Sequence, residues 1–131
     1  MTDNNWYHLR NAVYEQRYSD AQDLIKNRPE LISLRNGIGE TVLHFLAVEN
    51  DIRGVKWLYN QGFDINTKND FGTPVIFEVA HLGYKELLTW LFENKADFKA
   101  IDNEGYYIIQ YLKDYEVGDM VEFIKKCKMC T

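Results

Sequence analysis

Three glycines, Gly39, Gly72 and Gly105, stand 33 residues apart, and the apolar residues behind them keep the same step. Leu43, Ile76 and Ile109 fall in register. So do Leu46, Val79 and Leu112, then Trp57, Trp90 and Phe123, and one position later Leu58, Leu91 and Ile124. A fixed period of roughly 20–50 residues marks one supersecondary unit stacked on copies of itself, because a single unit cannot bury its apolar face alone. A chain built this way offers an extended surface rather than an enclosed pocket. The period divides the 131 residues into units of about 6–35, 36–68, 69–101 and 102–126, a length that suits one domain.

Each unit reads as two short helices and a turn. In the second unit Leu43, Leu46 and Ala47 share one face at i, i+3 and i+4. Thr41 is placed to cap that helix, and Thr73 with Pro74 suit the N-cap and first turn of its counterpart. A second helix carries Ile52, Val55 and Leu58 and ends before Gly62, where a left-handed residue is needed; the aligned Lys95 makes a weaker cap. The stretches Asn36–Gly39, Asn69–Gly72 and Asp102–Gly105 read as turns between units.

These residues resemble the ankyrin repeat. The second unit reads Gly39-Glu40-Thr41-Val42-Leu43-His44, then Ala47, Leu58, Gly62, Asp64 and Asn66, lacking only the family's Pro. The third has Gly72-Thr73-Pro74, with Phe77 where the family has His. The fourth keeps Gly105, Ile108, Ile109 and Leu112, and the first keeps only its helix pair, Leu9 to Tyr14 and Ala21 to Ile25. The outer units drift as caps do, with Arg10, Glu15, Gln16, Arg17, Asp20, Gln22 and Asp23 in the first and Lys125, Lys126 and Lys128 in the last. The resemblance implies an all-α ankyrin-repeat solenoid with hairpin fingers, and a structural role for His44, hydrogen-bonded to backbone groups of the adjacent turn.

The resemblance also implies that the chain works by binding a protein in the concave groove and at the fingertips. The positions it assigns are Tyr14, Glu15, Phe45, Glu49, Glu78, His81, Tyr111, Asp114 and Tyr115, joined by Asn11, Val48 and Leu82. From the fingers come Ile38, Glu40, Phe71, Thr73, Glu104 and Tyr106. Aromatics are the usual anchors of interfaces. Carboxylates without lysine or arginine suit a basic partner. Small stand-alone ankyrin proteins resemble two kinds of module, bacterial immunity proteins that block a basic toxin and general adaptors. The partner is expected to meet a chain that is monomeric when free.

The net charge of -5 falls on the last three units and leaves no basic stripe, which argues against nucleic acid as the ligand. No apolar run has the length of a membrane span, the N-terminus shows no secretory signal, and two cysteines give no disulfide framework. A cytoplasmic setting is expected. No nucleophile elbow, zinc-protease helix, P-loop or dinucleotide fingerprint is present, so neither an enzyme nor a cofactor is expected. Cys127 and Cys130 form a lone C-x-x-C without a second pair, which reads as two tail thiols rather than a metal site. Trp57 and Trp90 stand where an outer face is usually polar. They form either a convex ridge or a pair tucked against the following loop.

Overall fold

The computed structural model describes the backbone of residues 3–115 and 117–129 and side chains as far as residue 127. All its regular structure is helical, with no strand among the described residues. Four helix pairs follow one another: α1 (Asn4–Tyr14) with α2 (Tyr18–Asn27), α3 (Val42–Val48) with α4 (Ile52–Asn60), α5 (Val75–His81) with α6 (Lys85–Glu93), and α7 (Ile108–Asp114) with α8 (Gly118–Met129). A short 3-10 turn at Pro29–Ile32 follows α2. The partners of each pair pack together, and the first helices pack in line, α1 on α3, α3 on α5 and α5 on α7.

The in-register apolar residues make this stacking. Leu46, Val79 and Leu112 are buried from successive first helices, and Leu58, Leu91 and Ile124 from successive second helices. Trp6 closes the first unit onto the second. Its ring is fully buried, and its indole N–H donates to the carbonyl of Glu40 at 3.0 Å.

The three glycines have one job. Gly39, Gly72 and Gly105 sit at φ +78°, +77° and +80°, the left-handed region that side chains other than glycine rarely enter. In each turn the residue three positions earlier accepts two backbone N–H groups on its side-chain oxygen. Asn36 Oδ1 takes those of Ile38 and Glu40, Asn69 Oδ1 those of Phe71 and Thr73, and Asp102 Oδ1 those of Glu104 and Tyr106. The fingers then dock on one another, with the Asp70 N–H donating to the Ile38 carbonyl at 3.0 Å.

Two expectations about local structure change, and a third gains detail. Thr41 does cap α3, accepting the His44 N–H, but Pro74, not Thr73, occupies the N-cap of α5. Pro74 is the residue 33 after Thr41, so stacking register overrides local capping preference. Trp57 and Trp90 are half-buried against the core, with ring partners the sequence reading did not name. Each packs on the preceding unit's second helix: Trp57 stacks on Tyr18 with centroids 5.3 Å apart, and Trp90 meets Tyr59 edge-on at 5.3 Å. The ring of Phe123 continues the series under the Lys85 ammonium at 5.6 Å. Glu40 is buried at 5% exposure rather than displayed on a fingertip. No helix among the described residues is long and apolar enough to cross a membrane. Cys127 packs half-buried at the core edge, whereas Cys130 and the side chain of Lys128 lie outside the described residues.

Candidate functional site

A groove of about 510 Å³ runs across the second, third and fourth units. The fingers supply Ile38, Phe71 and Thr73 to it. The first helices and the residues just after them supply Val48, Glu78, His81, Leu82, Tyr111 and Tyr115, and Glu40 and Asn69 lie at its floor. Several large apolar side chains here face water: Phe71 at 66% exposure, Tyr115 at 55%, Ile38 at 47% and Leu82 at 44%. Beside them lies a ring cluster. His81 meets Tyr115 edge-on at 4.7 Å, Tyr115 lies 4.8 Å from Tyr111, and Tyr111 lies 5.0 Å from the buried Phe77. Burial holds the Tyr111 phenol's pKa up at about 12, helped by Tyr115 and Glu78, so it stays a neutral donor.

Of the positions assigned from sequence, the structure brings Ile38, Phe71, Glu78, His81, Tyr111 and Tyr115 into this groove. Tyr14, Phe45 and Glu49 line a separate hollow of about 280 Å³ with Asn11 and Arg10. That arginine was read as a cap charge and not as a groove residue; its guanidinium lies 5.3 Å from the Phe45 ring centroid and 5.2 Å from that of Tyr7. Phe45 itself is half-buried, edge-on to Trp6 at 5.5 Å. Glu15 is drawn into a surface ion pair with Arg17 at 2.8 Å. Glu104 and Tyr106 are exposed on the last finger, and Asp114 is exposed at the end of α7, where it accepts from Gln110; these three do not line the groove.

The floor holds the chemistry. The fully buried His44 sets its Nε2 3.0 Å from Glu78 Oε1 and 3.5 Å from Glu40 Oε2. Its partners are therefore carboxylates, one from its own finger and one from the next unit, and not the backbone groups that the resemblance implied. Asn69 Nδ2 donates to the same Glu78 oxygen at 2.9 Å. Glu78 is thus half-buried in a network rather than a free groove carboxylate. Burial pushes the Glu40 carboxyl above the usual carboxylate range; His44 pulls it back and the Glu78 charge pushes it up again.

A second feature escaped the sequence reading. Arg35 donates to the Lys68 carbonyl at 2.6 Å and to Thr67 Oγ1 at 3.1 Å, and Lys68 Nζ donates to the Ile101 carbonyl at 2.7 Å. Arg35, Lys68 and Ile101 are 33 apart, so each basic residue clips its finger to the next at the same register. That step, applied to polar as well as apolar residues, is the signal that would have found it.

No family model matches the chain. Among curated proteins it is similar to protein phosphatase 1 regulatory subunit 12A of Mus musculus, 27% identical over 88 residues, and to the Rattus norvegicus protein of the same name at the same identity. The aligned segment covers 67% of this chain but only 9% and 8% of those proteins, so the chain spans less than a tenth of the length of the curated relatives it matches.

Proposed function

We propose that the chain is an ankyrin-repeat protein of four units that acts by holding a basic segment of a partner protein in the groove between Ile38 and Tyr115. The observation that carries this reading is the gathering of Ile38, Phe71, Leu82 and Tyr115, all exposed, from three units onto one face. Contiguous exposed apolar side chains mark interaction sites. Aromatic residues supply the anchors of such sites. The 33-residue register, the repeated left-handed turns and the in-line first helices support the ankyrin assignment. The similarity to a regulatory subunit, a protein whose name places it in an assembly, points the same way. The basic character of the partner follows from charge. Among the described residues no lysine or arginine lines the groove, and Glu49, Asp70, Glu104 and Asp114 are exposed on the same units.

The test begins with a photo-crosslinker at position 71 to capture the partner in cells, followed by calorimetry with the purified partner. Phe71→Ala with Tyr115→Ala should weaken binding at least tenfold while leaving the helical content unchanged. Lysine at Glu49, Glu104 and Asp114 should weaken it further at low salt than at high salt, since exposed charges are screened over about 10 Å at 0.1 M. Glu78 is left out of that set because it is held by His44 and Asn69. Unchanged affinity in both variants would move the site off this face. The partner's own activity then separates two roles. A basic toxin silenced at one-to-one stoichiometry makes this chain an immunity protein, and a partner whose activity is untouched makes it an adaptor.

A further inference from the structure

We propose that Glu40, His44 and Glu78 form a binding site for one divalent transition-metal ion of the zinc type, which ties the second unit to the third. This assignment is independent of what occupies the groove above.

The argument starts from charge. Glu40 is 5% exposed and Glu78 is half-buried, and among the described residues neither pairs with a lysine or arginine. Their shared neighbour is His44. Two carboxylates from neighbouring units therefore converge on one imidazole nitrogen with no lysine or arginine beside them among the described residues, an arrangement that a cation resolves.

The geometry fits that cation. One ligand atom from each residue lies within 4.8 Å of the other two. His44 Nε2 is 3.0 Å from a Glu78 oxygen and 3.5 Å from a Glu40 oxygen. Ligands about 2.0–2.1 Å from a tetrahedral zinc stand roughly 3.3 Å apart, so small side-chain movements suffice. One imidazole with two carboxylates is a donor set that zinc accepts. The two carboxylates are held from outside, with Asn69 Nδ2 donating to Glu78 at 2.9 Å and Asn36 Nδ2 reaching Glu40 at 3.5 Å. Both carboxylates line the groove, which leaves a solvent path for the ion and for water in the fourth position. The ligands come from the second unit's finger and α3 on one side and from α5 on the other, so the ion would act as a staple across that joint.

The experiment uses the full chain with Cys127→Ser and Cys130→Ser, to silence the tail thiols, after removal of metal with a chelator. Zn²⁺ is titrated by calorimetry and Co²⁺ by visible absorption, with thermal melting alongside. The expected result is one ion per chain at micromolar affinity or tighter, a tetrahedral Co²⁺ spectrum, and a melting temperature several degrees higher with Zn²⁺. Glu40→Gln and Glu78→Gln should each weaken binding at least tenfold while circular dichroism stays that of the parent. His44→Gln should abolish binding. Should that variant fail to fold, the two glutamine variants decide the matter. Affinity weaker than about millimolar in the parent, or equal within twofold in the parent and Glu78→Gln, overturns the assignment and leaves Glu78 as a hydrogen-bond partner of His44 and Asn69 only.

Discussion

Substituting the three period-marking glycines with alanine should give three different penalties, although all three occupy nearly the same backbone conformation. The shared part is the left-handed φ, which costs an L-residue roughly 1–2 kcal/mol. Around Gly105 an added Cβ meets nothing within 4 Å, so Gly105→Ala should cost only that. At Gly72 it would lie 2.9 Å from Cβ, Cγ and Oδ1 of Asn103; rotation can move the amide but not the Cβ, so the next finger must shift slightly, adding about 1 kcal/mol. At Gly39 it would lie 2.0 Å from Asp70 Oδ1 and 2.7 Å from the Asp70 backbone nitrogen. Backbone cannot turn aside, so the next finger must move away. That movement breaks the hydrogen bond from the Asp70 N–H to the Ile38 carbonyl, worth about 1 kcal/mol. It also disturbs the Arg35 clip between the same two fingers. Gly39→Ala should therefore cost about 3 kcal/mol or more. Urea unfolding monitored by circular dichroism would order the variants Gly105, Gly72, Gly39 from mildest to most severe. Equal losses at all three would show that the turn conformation alone requires glycine and that finger-to-finger docking is not part of the reason.

Other expectations follow from the same contacts. Arg35→Met keeps the apolar stem but removes three donated hydrogen bonds across two fingers, and should cost about 1.5–3 kcal/mol by urea unfolding. Trp57→Ala removes the ring stacked on Tyr18 and should cost about 2 kcal/mol while leaving partner affinity in calorimetry unchanged, because the ring lies on the second-helix side away from the groove. Asp51 caps α4 through the Gly54 N–H, and burial raises its pKa above 3.8. The native state therefore holds a proton that the unfolded chain has released, and this group's contribution to stability falls as pH rises through that interval. Asp51→Asn keeps the cap without the charge, so its melting temperature should gain on the parent's from about pH 4 upward and level off by neutrality; a difference independent of pH would contradict the burial argument.

The helix pairs were legible because their cause is local and repeated. Leu46, Val79 and Leu112 need only a 3.6-residue period and a 33-residue step to reveal a buried seam, and the left-handed glycines mark where each seam restarts. What was not legible depends on which neighbour fills a space. Glu40 aligns with Thr73 and Tyr106, and nothing in that column announces burial; it is buried because Trp6 and His44 close over the second finger. Glu78 aligns with Phe45 and Tyr111, both plausible groove positions, and only the placement of His44 beneath it turns an apparent surface carboxylate inward. Arg10 reads as a cap charge, yet its guanidinium lies over three rings contributed by two units. In each case the sequence shows the residue and the fold chooses its partner.

The side-chain hydrogen bonds that cross between units have one range. Trp6 to Glu40, Arg35 to Thr67 and Lys68, His44 to Glu78, Arg53 to Gln16, Asn66 to Asp97, Lys68 to Ile101 and Tyr84 to Val48 span 31 to 37 residues. Every unit is therefore fastened to its immediate neighbour, and stability is carried by joints in series. A groove whose walls run from Ile38 to Tyr115 crosses two of those joints. A ligand that touches all three units must bind more tightly when both joints are closed, so by linkage it also holds them closed. The Glu40–His44–Glu78 cluster lies at the first of the two. Loosening it would let Ile38 and Val48 drift from His81 and Tyr115 without removing any residue that faces the ligand, so the buried floor sets how well the exposed walls are aligned.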